Sequence, residues 1–249
     1  MNSLIRQLSL VLAILAPCHL IADEIRVAAA SNFRDAILAL AGRFEAQTQH
    51  QVTLIFGSTG KQYAQILHGA PFDAFFAADA ARPELLEKAD FAIAGSRFTY
   101  ARGRLALWSP RADYVDPGGG VLAQGEFRHL AMANPDLAPY GQAAREVLES
   151  LGVWDELGGR IVRGENIGQA FQFVKSGNAE LGFVAWSQLQ RGDNQFVEGS
   201  HWLMPADLYR PIEQQAVLLT DSPAARAFMS FIRSEEAATI IRSHGYDIP

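Results

Sequence analysis

The chain has 249 residues, 49% of them hydrophobic, and a formal net charge of −6. That length and apolar content support one large domain or two smaller ones and exclude a disordered chain. The acidic balance, with no Lys/Arg cluster along the sequence, excludes the electrostatic footprint of a nucleic-acid binder.

Residues 1–22 read as a cleavable secretory signal. Arg6 is the only charge, Leu8 to Pro17 is an apolar run, and Ala22 precedes the acids Asp23 and Glu24. The run is too short for a membrane span. Cleavage is expected after Ala22, although Leu20 stands where a small residue is usual. Leu15-Ala16-Pro17-Cys18 has the outline of a lipoprotein box, which the proline beside the cysteine disfavours. Cys18 is the only cysteine and leaves with the signal, so the mature chain is expected to lack disulfides, thiol nucleophiles and cysteine metal ligands. Such usage is compatible with an oxidising periplasm.

In chain order, residues 24–30 predict a strand, and Phe33, Ile37, Leu40, Ala41 and Phe44 fall at helical spacing behind a Ser31 or Asn32 cap. A second strand is expected over 51–56, then a short helix carrying Tyr63, Ile66 and Leu67. Phe72 to Ala77 reads as a buried strand of the parallel-sheet kind, and 83–90 as a helix. A new strand opens at Leu105, after Arg102-Gly103-Arg104, and residues 116–120 form a Pro/Gly loop. A second set follows: strand 128–133, helix 141–151, strand 160–163, helix 167–176 and strand 180–184. A late strand at 214–219 precedes helices near 223–234 and 235–243. Strand–helix alternation of this sort predicts an α/β fold. The late strand lacks a sheet of its own and is expected to return to the first domain. The expected organisation is therefore domain I over 23–103, domain II over 104–207 and a return segment over 208–249, with hinges near 102–105 and 205–212 and a ligand cleft between the domains.

Four short polar stretches each follow an apolar run and open a helical one: Ala30-Ser31-Asn32, Gly57-Ser58-Thr59-Gly60, Pro139-Tyr140-Gly141 and Glu165-Asn166-Ile167. A helix start leaves backbone N–H groups without intrahelical partners and carries partial positive charge, which suits an anion. Two such starts from each half of the chain, converging, would make an oxyanion site in a protein whose net charge gives no general attraction. Each piece has a plainer reading. Ser31-Asn32 also fits an ordinary cap, the Gly-Ser-Thr-Gly stretch a turn, and Tyr140 a packed ring. Thr59 is expected to bind or only to cap. Ile167 makes sense as a ligand residue only through its backbone. Glu165 sits close for anion binding, and its carboxylate is expected to turn away to a loop amide. Lys61 does not complete a phosphate loop, because the G-x-x-x-x-G-K-[ST] spacing is absent.

Enzyme chemistry finds little support. His19, His50, His68, His129, His201 and His244 show no paired spacing for a metal. There is no G-x-S-x-G elbow. Asp73 and Asp79 bracket a strand, where a supporting and a capping role are expected rather than paired acid–base work. Trp108, Trp154, Trp186 and Trp202 are scattered, with core or rim positions expected.

Taken together, Ala28-Ala29-Ala30-Ser31-Asn32, Phe56-Gly57-Ser58-Thr59-Gly60-Lys61, Gly69-Ala70-Pro71-Phe72-Asp73, Asn134 to Gly141, Gly164-Glu165-Asn166-Ile167 and Gly182-Phe183-Val184-Ala185 resemble the periplasmic molybdate-binding proteins of ABC transporters. The likeness runs in order from about residue 24 to the C-terminus. It implies a type II periplasmic binding fold of two α/β domains that holds molybdate or tungstate in the cleft, with no other cofactor, no catalysis, no direct protein ligand to the metal, and delivery to a membrane permease. A monomer without nucleic-acid partners is the expected form. The positions matching the family's anion-holding residues are Ser31, Asn32, Ser58, Tyr140 and Ile167. The chain departs from one branch of the family in having Ala185 where that branch has a tyrosine whose hydroxyl binds the anion, and in having Pro-Tyr-Gly where that branch has Pro-Ala-Gly. In this Pro-Tyr-Gly pattern Tyr140 is expected to act through its N–H, with its hydroxyl as a further candidate. Other oxyanions such as sulfate, an amino acid, and an enzyme on the same fold of the porphobilinogen-deaminase type are the alternatives. The last needs a cofactor-anchoring cysteine, and an amino acid needs an Arg and an Asp facing the cleft.

Overall fold

A computed structural model describes residues 23–191 and 195–249; the expected signal segment 1–22, with Cys18, lies outside the described residues. The chain first builds β1 (Glu24–Ala30), a single 3-10 turn (Ser31–Phe33), α1 (Arg34–Gln47), β2 (Gln51–Gly57), α2 (Thr59–Leu67), β3 (Ala74–Phe76), α3 (Ala81–Lys88) and β4 (Phe98–Gly103). It then passes through β5 (Leu105–Ser109), α4 (Gly120–Gln124), β6 (Leu130–Ala133), α5 (Pro139–Ser150), α6 (Trp154–Leu157), β7 (Ile161–Gly164), α7 (Ile167–Lys175), β8 (Leu181–Ala185) and α8 (Trp186–Leu189). The short strands β9 (Gln190–Arg191) and β10 (Gln195–Phe196), then β11 (Ser200–Leu203), β12 (Ile212–Leu218), α9 (Pro223–Ile232) and α10 (Glu235–Ser243) complete it.

Two five-stranded mixed sheets result, ordered β2-β1-β3-β12-β4 and β11-β5-β8-β6-β7. β12 lies antiparallel between β3 and β4, so the late strand stands in the first sheet. Two segments cross between the sheets. One is Arg104 alone, joining β4 to β5; the other runs from the end of β11 to the start of β12. Each sheet carries its own core. In the first lobe Val27, Phe33, Ile37, Leu40, Phe76, Phe228 and Met229 are buried together. In the second, Leu105, Leu107, Leu130, Met132, Val147, Leu148 and Phe183 do the same. Helix α1 buries one face through the 3–4 spacing of Ile37, Leu40, Ala41 and Phe44, as its sequence predicts.

Three local expectations need correction. β3 spans three residues rather than Phe72 to Ala77, because Asp73 turns its carboxylate to accept from the Arg26 N–H at 2.8 Å. No local pattern predicts the strand β4: Thr99, Arg102 and Gly103 dilute its apolar signal, and its pairing with β12, distant in sequence, supplies what local pattern does not. The region around 120 contains a short helix, α4, behind the Pro/Gly loop.

What positions a site is strand direction. β1 runs parallel to β2 and β3, and β6 runs parallel to β7 and β8. Their carboxyl ends therefore share one edge of each sheet, and the segments leaving those ends open the helices.

Candidate functional site

Those segments meet in a small cavity between the lobes. It is lined by Ala30, Ser31, Asn32, Gly57, Ser58, Thr59, Ala78, Ala138, Pro139, Tyr140, Asn166 and Ile167. All five residues singled out from the sequence, Ser31, Asn32, Ser58, Tyr140 and Ile167, are among them, and no lining side chain is charged.

Each helix start is shaped by its sequence. Ser58 has an extended backbone and caps α2 by accepting from the Lys61 N–H at 3.4 Å. Thr59, the next residue, accepts from the Ala78 N–H at 3.0 Å and so ties the end of β2 to the end of β3. In the second lobe Pro139 occupies the first turn of α5, where a missing N–H costs nothing. Gly141 lies so close to the Ala133 carbonyl that a Cβ would collide with it. Only glycine lets α5 start this near the end of β6. Asn166 caps α7 by accepting from the Gln169 N–H at 3.0 Å.

The donors left over define the chemistry. Among the described residues, the backbone N–H groups of Asn32, Ser58, Tyr140 and Ile167 find no protein acceptor. The Ser31 hydroxyl accepts from the Gly168 N–H at 3.2 Å and the Ser58 hydroxyl from Lys61, so both hydroxyl protons remain to be donated. Asn32, Ser58, Tyr140 and Ile167 are almost wholly buried. Buried donors without partners are rare and ask for a reason. Here they surround one space from both sides, at helix starts whose dipoles add in the same sense.

Several other polar groups of these residues are engaged in the protein. The Asn32 side chain donates to Gln214 Oε1 at 2.8 Å and to the Tyr246 hydroxyl at 3.1 Å. The Tyr140 hydroxyl accepts from Gln214 Nε2 at 3.2 Å. Burial, and then the neighbouring tyrosines Tyr246, Tyr100 and Tyr209, hold the Tyr140 pKa well above its ordinary value. The ring therefore stays neutral. The Ile167 carbonyl accepts from Gln188 Nε2 at 3.3 Å.

Glu165 departs from expectation. Its carboxylate accepts no loop amide; it pairs with Lys61 Nζ at 3.0 Å, from the other lobe, with both side chains partly in solvent. The reason is the register of the two helix starts, which sets Lys61 of α2 opposite the residue before the α7 cap. Asp79, one residue before the Ala80 cap of α3, accepts from the Arg82 N–H at 3.0 Å and pairs with the Arg82 side chain. The lobes also meet through the Gly60 N–H, which donates to the Leu137 carbonyl at 2.9 Å. Ala78 and Gln214 were not singled out from the sequence. Ala78 offers only a backbone, and Gln214 lies in the late strand far from every motif.

The sequence pattern of the bacterial extracellular solute-binding proteins matches residues 25–247. The chain belongs to that family. Among its relatives, the molybdate-binding protein ModA of Azotobacter vinelandii is 48% identical over 237 residues, covering 94% of each chain. ModA of Rhodobacter capsulatus is 43% identical over 242 residues, covering 96% of this chain and 93% of its own. The solved structure of the periplasmic molybdate-binding protein of Azotobacter vinelandii superposes with a TM-score of 0.87 at 45% identity, covering 90% of this chain and 99% of that one. The two-sheet architecture of this solute-binding protein is accordingly the type II periplasmic binding fold.

Proposed function

We propose that the protein captures molybdate, or tungstate, in the cavity between its lobes outside the inner membrane and delivers it to the permease of an ABC transporter. The observation that carries this reading is the set of uncharged donors around one cavity: four backbone N–H groups and two hydroxyl protons, contributed by both lobes. Ser31, Asn32, Ser58, Tyr140 and Ile167 are the residues assigned to the anion, with Asn32, Tyr140 and Ile167 acting through their backbone.

The chemistry suits the ligand. Molybdate and tungstate are tetrahedral dianions without a proton near neutral pH, so they need donors and no acceptor. Phosphate near neutral pH brings a proton that asks for a carboxylate; none lines the cavity, and Glu165, beside the α7 cap, is paired with Lys61. Hydrogen bonds to a charged group contribute about 1.5–3 kcal/mol each. About six of them give roughly 9–18 kcal/mol before desolvation and closure are subtracted, and micromolar binding needs only about 8 kcal/mol. Sulfate has the same charge and shape but is smaller. A cage set for the larger ion leaves donors unpaired around sulfate, at about 1–3 kcal/mol apiece.

Several features complete the proposal. Residues 1–22 act as a cleaved export signal, the mature protein works as a monomer without nucleic acid or catalysis, and no cofactor is needed beyond the cargo. Calorimetric titration of the mature protein with molybdate, tungstate, sulfate and phosphate tests it. Tight binding of the first two and weak binding of the others is expected; heat with sulfate and none with molybdate would remove the ligand assignment.

A further inference from the structure

The crossing between the lobes holds a polar cluster that the anion chemistry alone does not call for. Gln214, on β12, is fully buried. Its Oε1 accepts from Asn32 Nδ2 at 2.8 Å and from the Tyr100 hydroxyl at 3.0 Å, while its Nε2 donates to the Tyr140 hydroxyl at 3.2 Å. Asn32 belongs to the first lobe and Tyr140 to the second. Two residues whose backbone N–H groups face the cavity from opposite sides are thus tied to one side-chain amide.

The local backbone is built around that amide. The register between β12 and β4 shifts between Gln214 and Gln215, leaving Tyr100, which donates to Gln214, as the extra residue of β4. Gly103, paired with Ile212, closes β4, and a Cβ there would collide with both the Tyr140 hydroxyl and Gln214 Nε2. A side-chain amide is the group that accepts on one atom and donates on the other in a fixed plane. A carboxylate cannot donate, and an apolar chain does neither.

We propose that Gln214 is a positioning residue for the anion: its amide holds the Asn32 and Tyr140 backbone donors in register across the lobes, so that closing the cleft and assembling the cage are one event. The proposal rests on the molybdate reading of the cavity. It gives the late strand a role in binding that none of the cavity-lining loops reveals.

The test compares wild type, Gln214→Met, Tyr140→Phe and the double variant by molybdate calorimetry and stopped-flow kinetics, with melting temperature as a check on folding. Gln214→Met keeps the length of the side chain and removes the amide. It is expected to weaken molybdate binding about tenfold or more, chiefly through faster release, the size seen for members of one hydrogen-bond network. Tyr140→Phe keeps the backbone N–H and removes only the acceptor, so it should weaken binding by a smaller factor. The double variant should then bind as Gln214→Met does, because the amide through which Tyr140 acts is already gone. A Gln214→Met protein that binds within about threefold of wild type overturns the proposal, as does a double variant whose loss is the product of the two single losses. If Gln214→Met does not fold, a Tyr140→Phe protein with unchanged affinity overturns it alone. Failure of the wild type to bind molybdate would instead strike the reading of the cavity, before any variant is compared.

Discussion

Replacing Ser31 by alanine separates binding from folding more cleanly than any other change in the cavity. The Ser31 hydroxyl accepts from the Gly168 N–H at 3.2 Å and has its own proton left for the anion. It makes no cap bond to the helix it precedes. Removing it deletes one hydrogen bond to a charged group, about 1.5–3 kcal/mol, which is roughly a 10- to 150-fold loss of affinity. Neither lobe's own fold loses a support; apart from the anion bond, what goes is the Gly168 contact between the lobes, about 0.5–1.5 kcal/mol. Ser58→Ala provides the contrast. It deletes an anion donor and also the cap of α2, so affinity falls and about 1 kcal/mol of stability goes with it. In a chain of this length that lowers the melting temperature by about 2–4 °C. Calorimetry with molybdate and scanning calorimetry of the free proteins measure both. A Ser31→Ala protein binding molybdate within about threefold of wild type would refute the assignment, since even the weakest hydrogen bond to a dianion is worth more.

Three further outcomes are expected. Gly60→Ala places a Cβ 2.9 Å from the Leu137 carbonyl across the cleft; it should weaken molybdate binding about tenfold or more while leaving the free protein as stable or slightly more so, because alanine favours the helix by about 0.5–1 kcal/mol. Unchanged affinity would mean that the lobes do not close along this contact. Lys61→Met should change affinity less than about fivefold, because the Lys61–Glu165 pair is about half exposed on the lysine side and such pairs are worth about 0–1 kcal/mol; the small effect should vanish in high salt. Molybdate affinity should be flat between about pH 6 and 9, because the one titratable side chain lining the cavity, Tyr140, has its pKa raised by burial and then by neighbouring tyrosines. A raised tyrosine keeps its hydroxyl neutral and costs stability only as the pH climbs past its ordinary value of 10.0. An inflection in affinity near neutrality would reveal an ionising ligand group.

Much of the site could be read from the sequence because it is made of backbone at helix starts, and helix starts have local signatures. Ser58 and Asn166 sit at cap positions, Pro139 in a first turn and Gly141 where the helix touches a carbonyl, and each residue type is dictated within a few positions of chain. What local pattern could not show is what closes over long sequence separations. Gln214 meets Asn32 across 182 residues, and Lys61 meets Glu165 across 104. The carboxylate of Glu165 was expected to seek an amide nearby, and a distant cation took it instead. The strand β4 is hidden from local pattern for the same reason, since its partner β12 lies more than a hundred residues away in the sequence.

The contacts that join the lobes are individually weak, and that weakness is what the role requires. They include one backbone bond from Gly60 to Leu137, the Gly168–Ser31 bond, the exposed Lys61–Glu165 pair and the buried bonds of Ser187 to Asn32 and Gln214 to Tyr140. Net of competing water, ordinary hydrogen bonds contribute about 0.5–1.5 kcal/mol each. Ordering the two lobes against each other offsets much of that sum. A ligand shifts such an equilibrium only by its differential affinity for the two arrangements. An anion that needs donors from both lobes has all its hydrogen bonds in the closed form and only the four of the first lobe in an open one. The two bonds from Tyr140 and Ile167, at about 1.5–3 kcal/mol each, then favour closure by roughly 3–6 kcal/mol, and about 5.5 kcal/mol suffices to move a population from 1:99 to 99:1. Splitting the donors between the lobes, rather than placing all of them on one, is what turns tight binding into a conformational signal that a permease can read.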